Sequence, residues 1–250
     1  MIEAMVLAAG EGKRLRPLTD QIPKALVPVR GKPLLGHVMD RLVEAGATHI
    51  VVNACHHAAQ VAAFVEQNTP PGVEISLSHE PDGPYETGGG LIAAAPLFRR
   101  EGPFLLHAVD VLSGIPLEEL LERHRSARER MGGRLVASLA VQDRGARRQL
   151  LFDATGLTGW EERDAGGAVV GTLTAREASG PVTRWSFAGV HVVEPAVFDL
   201  PHPAGRFSMI EWYVELARGG YEVQAVDVSR HPWLDVGTPE RLAQAEAQQW

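Results

Sequence analysis

Short runs of apolar residues alternate with helical patterns through the first 141 residues of the chain. The sequence predicts strands at 2–7, 49–53, 73–78, 103–107 and 135–141, and helices at 34–45, 58–67, 91–97 and 117–130. Strands without a polar face are buried on both sides, and helices between them return the chain across the sheet. The alternation therefore predicts the α/β class, with a largely parallel sheet covered by helices on both faces.

The pattern changes beyond residue 141. We predict a hairpin, a long strand, a helix, a further strand and a last helix, at 149–161, 183–193, 208–217, 221–226 and from 238. Ser208 and Glu211 have the spacing of a capping box at the start of the first of these helices. We accordingly divide the chain into an N-terminal half, 1–141, and a C-terminal half, 142–250, within one compact domain.

Composition narrows the possible partners. The net charge of −7 opposes a general role in nucleic-acid binding, and the single cysteine cannot form an internal disulfide. The first ten residues lack the basic segment of a signal peptide, and no later stretch has the length of a membrane span, so we expect a soluble, cytoplasmic protein. Cations nevertheless cluster near the N-terminus, which suggests a small, multiply charged anion as ligand: Lys13, Arg14, Arg16, Lys24, Arg30 and Lys32.

A glycine-containing loop, 7–19, follows the first predicted strand. Small residues there let the backbone approach a ligand, and successive N–H groups can surround a phosphate. It is not a Walker loop, because Arg14 follows Gly12-Lys13 where serine or threonine is needed, and the third glycine of a dinucleotide fingerprint is replaced by Leu15. Taken alone, the segment could also be a basic surface turn.

The following residues, Pro-Lys-Ala-Leu-Val-Pro-Val at 23–29, make the pattern specific. Together with the loop they resemble the N-terminal signature of the sugar-nucleotide pyrophosphorylases, a nucleotidyltransferase family. The resemblance implies a Rossmann-like three-layer fold with a mixed central sheet, in which 1–141 is the nucleotide-binding half and 142–250 binds the sugar phosphate and supplies a second metal ligand. The sequence has no hexapeptide repeat, so we expect no β-helix tail. It implies that Arg14 grips the β- and γ-phosphates, that Lys24 serves the α-phosphate, and that base and phosphates contact Leu7, Ala8, Ala9, Gly10, Gly12 and Lys13.

A second glycine-rich segment, Tyr-Glu-Thr-Gly-Gly-Gly at 85–90, follows Glu80 and begins a predicted helix. Free N–H groups at a helix start can point at a ligand, although glycine runs are often only flexible turns. The segment resembles bacterial N-acetylmuramate 1-phosphate uridylyltransferases. This implies UTP and N-acetylmuramic acid 1-phosphate as substrates, with Glu80, Thr87 and Gly88 near the base and sugar.

Two aspartates are candidate ligands of Mg²⁺, the predicted cofactor. Asp110 follows a buried strand, with Val109 where the family usually has glycine, and Asp235 lies in Trp-Leu-Asp-Val-Gly-Thr, which resembles the family's C-terminal motif. Magnesium commonly takes one or two carboxylates and completes its shell with phosphates and water. Either aspartate alone could instead be a cap or turn residue.

The segments that correspond to the family's sugar-phosphate-binding motifs match those motifs less well. The segment Trp-Glu-Glu-Arg at 160–163 resembles the family's Glu-Glu-Lys-Pro, which implies that Glu162 and Arg163 contact the sugar phosphate, although lysine and proline are missing. A solvated charge cluster is the alternative. Gly189 lies in a segment that resembles the strand closing the sugar pocket, without its usual asparagine.

Three readings of function follow. The first is transfer of a nucleotidyl group to a sugar 1-phosphate, with release of pyrophosphate and no protein nucleophile. The second is the same chemistry with a guanylyl, thymidylyl or cytidylyl group, or with another acceptor such as phosphocholine. The third is a regulatory module that binds sugar nucleotides without turnover, against which the intact Arg14, Lys24, Asp110 and Asp235 argue.

Overall fold

The apolar runs form strands in the computed structural model, which describes residues 2–248. Up to residue 142 the elements are β1 (Ile2–Leu7), β2 (Pro28–Val29), β3 (Lys32–Pro33), α1 (Leu34–Glu44), β4 (Ala47–Ala54), α2 (Ala58–Asn68), β5 (Glu74–His79), α3 (Glu86–Ala94), β6 (Phe104–Ala108), β7 (Val111–Ser113), α4 (Leu117–Met131) and β8 (Leu135–Gln142). Thereafter come β9 (Arg148–Asp153), β10 (Gly156–Arg163), β11 (Val169–Thr174), β12 (Thr183–Val193), α5 (Met209–Arg218), β13 (Glu222–Asp227), β14 (Trp233–Asp235) and α6 (Pro239–Ala247).

Ten of these strands form one mixed sheet, ordered β11-β10-β9-β12-β6-β1-β4-β5, with β8 beside β12 and β13 beside β8. Strands β6, β1, β4 and β5 are parallel. Strand β12 is antiparallel to β6 and also to β8 and β9. It therefore joins a parallel half of the sheet to an antiparallel half, which confirms the predicted mixed α/β fold.

Each face of the sheet has its own core. In β1, Ala4 and Val6 pack with α1, α2 and α4 on one face, whereas Met5 packs with α3 and α5 on the other. All three side chains are fully buried. A strand with helices on both faces is buried on both sides and therefore mostly apolar, which explains why the N-terminal strands have no polar alternation. Glu3 of β1 and His49 of β4 are buried polar exceptions that hydrogen-bond to each other.

Three local predictions differ from the structure. Helix α3 begins at Glu86 rather than 91, so the three glycines form its first turns. The capping box is wrong: α5 does begin after Ser208, but that side chain caps nothing, and the Met209 N–H donates to Thr87 Oγ1 at 2.9 Å. Strands β2, β3, β7, β11 and β14 were not expected. All of them except β11 have only two or three residues and are recognisable only through their partners.

The division at residue 141 stays a prediction. Strand β8, which precedes it, pairs with β12 and β13, both from beyond it. From α5 onward the described chain forms α5, β13, β14 and α6, without a β-helix. Within residues 2–248, no helix combines the length and the apolar character that crossing a membrane requires.

Candidate active site

The loop after β1 opens at the carboxyl end of the parallel strands, where ligands of open α/β sheets bind. Leu7, Ala9 and Gly10 line a cavity of ≈ 570 Å³, which we call the large cavity because it is the larger of the two that this loop lines. Gly12 has φ of 65°, and a Cβ there would lie 2.9 Å from Thr19 Cγ2, so both backbone and space require glycine. Its carbonyl accepts a hydrogen bond from Thr19 Oγ1 at 2.9 Å, which fixes the loop.

Four cations surround a second cavity of ≈ 300 Å³, which we call the phosphate cavity: Lys13, Arg14, Lys24 and Arg206. Lys13 pairs with Glu11 at 2.5 Å, and Lys24 pairs with Asp110. Arg14 makes no hydrogen bond or ion pair with any residue of the described chain. An excess of positive charge in one cavity favours a polyanion.

Asp110 and Asp235 are brought together by the ribbon of β7 and β14. Asp235 pairs with Val111, and the Val236 N–H donates to the Asp110 carbonyl at 2.7 Å. Asp235 Oδ1 is buried and has no hydrogen-bond partner among residues 2–248. A buried carboxylate oxygen left without a donor fits a cation ligand, because unpaired burial of such an atom is costly.

Gly237 allows Arg14 to approach this carboxylate. A Cβ at Gly237 would lie 2.5 Å from both Arg14 Nη2 and Asp235 Oδ1. The other Asp235 oxygen, Oδ2, lies 3.2 Å from Arg241 Nη1. No group of three or more carboxylate, histidine or cysteine ligands occurs within the described part of the chain. Two carboxylates nevertheless suffice for magnesium when phosphate and water complete the shell.

Asn53, at the end of β4, was missed by the sequence analysis although it lines the large cavity. Its Oδ1 accepts from the Ala8 N–H, and its Nδ2 donates to Glu80 Oε1, both at 2.6 Å. Glu80 is buried, and its Oε2 accepts from the Tyr85 N–H at 2.7 Å. Glu80 therefore holds Asn53 and the following loop in place. A polar residue at the end of a buried strand was the available signal.

The N–H groups at the glycine-rich start of α3 are already hydrogen-bonded within the protein. The N–H groups of Gly88 and Gly89 donate to the Phe207 carbonyl at 3.0 and 3.3 Å. The expectation of free N–H groups at Gly88 is therefore wrong for this chain, because the segment before α5 uses them. Thr87 and Glu86 do line the large cavity, and Glu86 has a φ of 62°.

On the antiparallel half, Arg148 and Glu162 are register partners on β9 and β10. Arg148 lines the large cavity, and its guanidinium lies 4.5 Å from the Trp160 ring centroid. Glu162 Oε2 is 3.4 Å from Arg148 Nη2. Sequence analysis did not select Arg148, because a side chain's face depends on strand register.

Arg163 belongs to a different cluster. Its Nε donates to Glu161 Oε1 at 2.7 Å, as does Nε of Arg184. Burial opposes ionisation of Glu161, but these two hydrogen bonds outweigh it and lower the pKa of the carboxyl. Arg163 lines a separate cavity of ≈ 700 Å³ with Gln149. The structure thus places Arg148 at the large cavity and Arg163 at the other. Glu162 contacts Arg148 and also, at 2.9 Å, Arg147, which lines the cavity of Arg163.

Gly189 lies at an irregularity of β12, beside the turn that carries Asp110. It has φ of 77°, and a Cβ there would lie 2.8 Å from Val111 Cγ2. The glycine therefore allows β12 to pass close to the candidate metal ligands.

Comparison with known proteins agrees with this geometry. Residues 3–147 match the family described as nucleotidyl transferase, which spans the loop, Lys24 and Asp110. The chain belongs to the nucleotidyl transferase family. The match confirms the family and the enzyme class expected from the sequence, and it ends before β9, where the sugar-phosphate motifs are weakest.

Two relatives of this nucleotidyltransferase match almost all of it. The N-acetylmuramate alpha-1-phosphate uridylyltransferase of Neisseria meningitidis is 33% identical over 98% of the chain and 97% of that protein. The mannose-1-phosphate guanylyltransferase of Mycobacterium tuberculosis is 34% identical over 98% of the chain and 64% of that protein. A UDP-glucose pyrophosphorylase structure from Acinetobacter baumanii is 19% identical and superposes with a TM-score of 0.75, covering 98% of the chain and 92% of that structure. This last likeness concerns the fold alone.

Proposed function

We propose that the chain transfers a uridylyl group from UTP to a sugar 1-phosphate, with N-acetylmuramic acid 1-phosphate as the leading acceptor, and releases pyrophosphate. The observation that carries the reaction is the ion pair between Lys24 and Asp110. Lys24 lines the phosphate cavity and Asp110 lines the large cavity, so this pair marks where the two cavities meet. A phosphorus atom attacked there would have its leaving pyrophosphate among cations and its acceptor in the large cavity.

The protein's share of the chemistry is charge neutralisation and alignment. Arg14, free of acidic partners, binds the β- and γ-phosphates as a planar fork. Lys24 serves the α-phosphate, where negative charge increases in the transition state. The acceptor phosphate is itself the nucleophile, so no side chain need form a covalent intermediate.

Asp110 and Asp235 are the groups that would hold magnesium. The orphaned Oδ1 of Asp235 and the neighbouring Asp110 carboxylate support that assignment. Bound magnesium supplies positive charge to phosphate oxygens and lowers the repulsion between the two anionic substrates.

The large cavity supports binding of the nucleoside and the acceptor. Leu7, Ala9 and Gly10 leave room beside Asn53 for a base, and Thr87 is close by. On its other side we assign the acceptor phosphate to Arg148 and a sugar hydroxyl to Glu162. Arg163 was the motif-based candidate for the phosphate, but its contacts with Glu161 favour Arg148 instead.

The choice of UTP rests on two observations. The uridylyltransferase relative matches this chain along nearly the full length of both proteins, whereas the match covers only 64% of the guanylyltransferase relative. The segment 85–90 also resembles the uridylyltransferases. Nearly equal identity to both relatives makes guanylyl transfer the second candidate.

A matrix of UTP, GTP, CTP and dTTP against sugar 1-phosphates, with phosphocholine as a further acceptor, tests the function through pyrophosphate release. We expect the highest kcat/KM for UTP with N-acetylmuramic acid 1-phosphate. A higher value for GTP would overturn the uridylyl assignment and leave the reaction class standing. Binding of sugar nucleotides with no pyrophosphate release for any pair would instead indicate a regulatory module.

A further inference from the structure

Arg206 lies in the segment between β12 and α5, which comes from the antiparallel half of the protein, yet it lines the phosphate cavity with Arg14. Like Arg14, it makes no hydrogen bond or ion pair with any of residues 2–248. The other two cations of the cavity have carboxylate partners, Glu11 and Asp110. The phosphate cavity therefore holds two guanidinium groups that make no ion pair with any of residues 2–248.

The backbone on both sides of Arg206 is held in place. The Phe207 N–H donates to the Tyr85 carbonyl at 3.3 Å, and the Phe207 carbonyl accepts from Gly88 and Gly89. The Phe207 ring is buried against Gly88, where a Cβ would lie 2.3 Å from the ring. A Cβ at Gly89 would lie 2.4 Å from the Gly205 carbonyl oxygen. Contacts with the glycine-rich turns of α3 thus fix the position of residues 205–207, which include Arg206.

Two guanidinium groups that line the same cavity repel each other unless an anion binds with them. Each presents a planar fork of donors that matches phosphate oxygens, and charge-assisted hydrogen bonds of this kind are among the strongest in proteins. The α-phosphate end of the cavity is marked by Lys24 and its partner Asp110. The rest of the cavity, which is lined by Lys13, Arg14 and Arg206, can hold the β- and γ-phosphates, which leave as pyrophosphate.

We propose that Arg206 binds the β- and γ-phosphates of the nucleoside triphosphate, and then the pyrophosphate product, together with Arg14 in the phosphate cavity. This assignment rests on the proposed function for the identity of the anion. It makes the phosphate cavity a joint product of both halves, because the signature loop supplies Arg14 and the segment before α5 supplies Arg206.

The test is binding of inorganic pyrophosphate in the presence of Mg²⁺, measured by calorimetry on the full chain. Arg206→Ala should weaken binding by about 10- to 100-fold, as expected for the loss of one charge-assisted donor group. Arg206→Lys should lie between the two, because it keeps the charge and loses the fork. Arg125→Ala is the matched control, since Arg125 is an exposed arginine of α4 with the same charge. Melting temperatures of all variants check the fold.

Steady-state kinetics supply the second readout. Arg206→Ala should raise the KM for the nucleoside triphosphate and leave the KM for the sugar 1-phosphate within about two-fold. Pyrophosphate binding by Arg206→Ala as tight as that of Arg125→Ala would overturn the proposal, and so would a rise confined to the KM for the sugar phosphate. Failure of the function itself looks different: the wild-type chain would bind pyrophosphate through Arg206 and release none from any substrate pair.

Discussion

The parallel and antiparallel halves of the sheet present functional groups to the site in different ways. In the parallel half the groups lie at strand ends and in the loops that follow: Arg14 after β1, Asn53 at the end of β4 and Asp110 after β6. In the antiparallel half, Arg148 and Glu162 project from β9 and β10 themselves. The nucleotide phosphates would thus contact loops, whereas the sugar 1-phosphate acceptor would contact the face of a sheet.

The difference has a physical cause. A loop that brings backbone close to phosphate needs particular residues, such as Gly12 with its positive φ, so its sequence is recognisable. A strand face accepts any side chain that fits, and a shift of one residue exchanges the two faces. The functional residues of the parallel half can therefore be recognised from a motif, whereas those of the antiparallel half depend on strand register.

The largest expected effect lies where the halves meet. Asp110→Asn and Asp235→Asn should each reduce turnover by roughly 10³-fold, because the carboxylate charge that would hold magnesium is lost. Turnover in saturating Mg²⁺ and thermal melting are the measurements. Asp199→Asn, which removes only a surface ion pair with Arg100, is the control. Near-wild-type turnover in either active-site variant would refute the metal assignment.

The second-largest loss of activity is expected for variants of the N-terminal signature. Arg14→Ala should lower kcat/KM by about 100-fold or more, since a donor to developing charge contributes about 3 kcal/mol. Lys24→Ala should behave similarly. Lys13→Ala should cost far less, because Lys13 is exposed and already paired with Glu11. If Arg14→Ala changes only the KM for the sugar phosphate, this loop binds the acceptor. The assignment of nucleotide phosphates to the parallel half would then be wrong.

A smaller effect separates two arginines of the antiparallel half. Arg148→Ala should raise the KM for the sugar 1-phosphate by about 10-fold, as one charge-assisted contact is lost, with little change in the KM for UTP. Arg163→Ala should change either KM by less, because its partner Glu161 keeps a hydrogen bond from Arg184. The opposite ranking of the two variants would restore the motif-based assignment of Arg163.

The last prediction concerns stability where β6 and β12 pair. Burial lowers the pKa of His107 to about 4 and that of His191 to about 3, and in His191 the neighbouring His107 adds to the effect. Both pKa values lie below the model-peptide value of about 6.5, so the unfolded chain binds these protons first. The free energy of unfolding should therefore fall as pH drops from about 6.5 toward 4, by roughly 1 kcal/mol per pH unit for each histidine.

Urea denaturation between pH 7.5 and 5 measures this dependence. His191→Phe should flatten it, and His202→Phe, at an exposed position, should not. A single transition at every pH would indicate that the two halves unfold together through their shared sheet. An unchanged slope in His191→Phe would exclude His191 as a source of the pH dependence.

The sequence by itself determined the α/β class and the nucleotidyl transferase family. Uninterrupted apolar runs can only be strands covered on both faces, and the residues around Gly12 and Lys24 are tied to backbone geometry and charge at fixed spacing. It also singled out Asp110 and Asp235. The structure then showed that Asp110, directly before β7, and Asp235, on β14, are neighbours.

Only the tertiary structure decided which groups share a cavity. The contact of Phe207 with Gly88 and Gly89 converts predicted free N–H groups into a support for Arg206. The register of β9 and β10 selects Arg148 and Glu162 over Arg163. Such choices depend on residues distant in the chain, because a hydrogen-bond donor or a strand face is free or used only in relation to what packs against it.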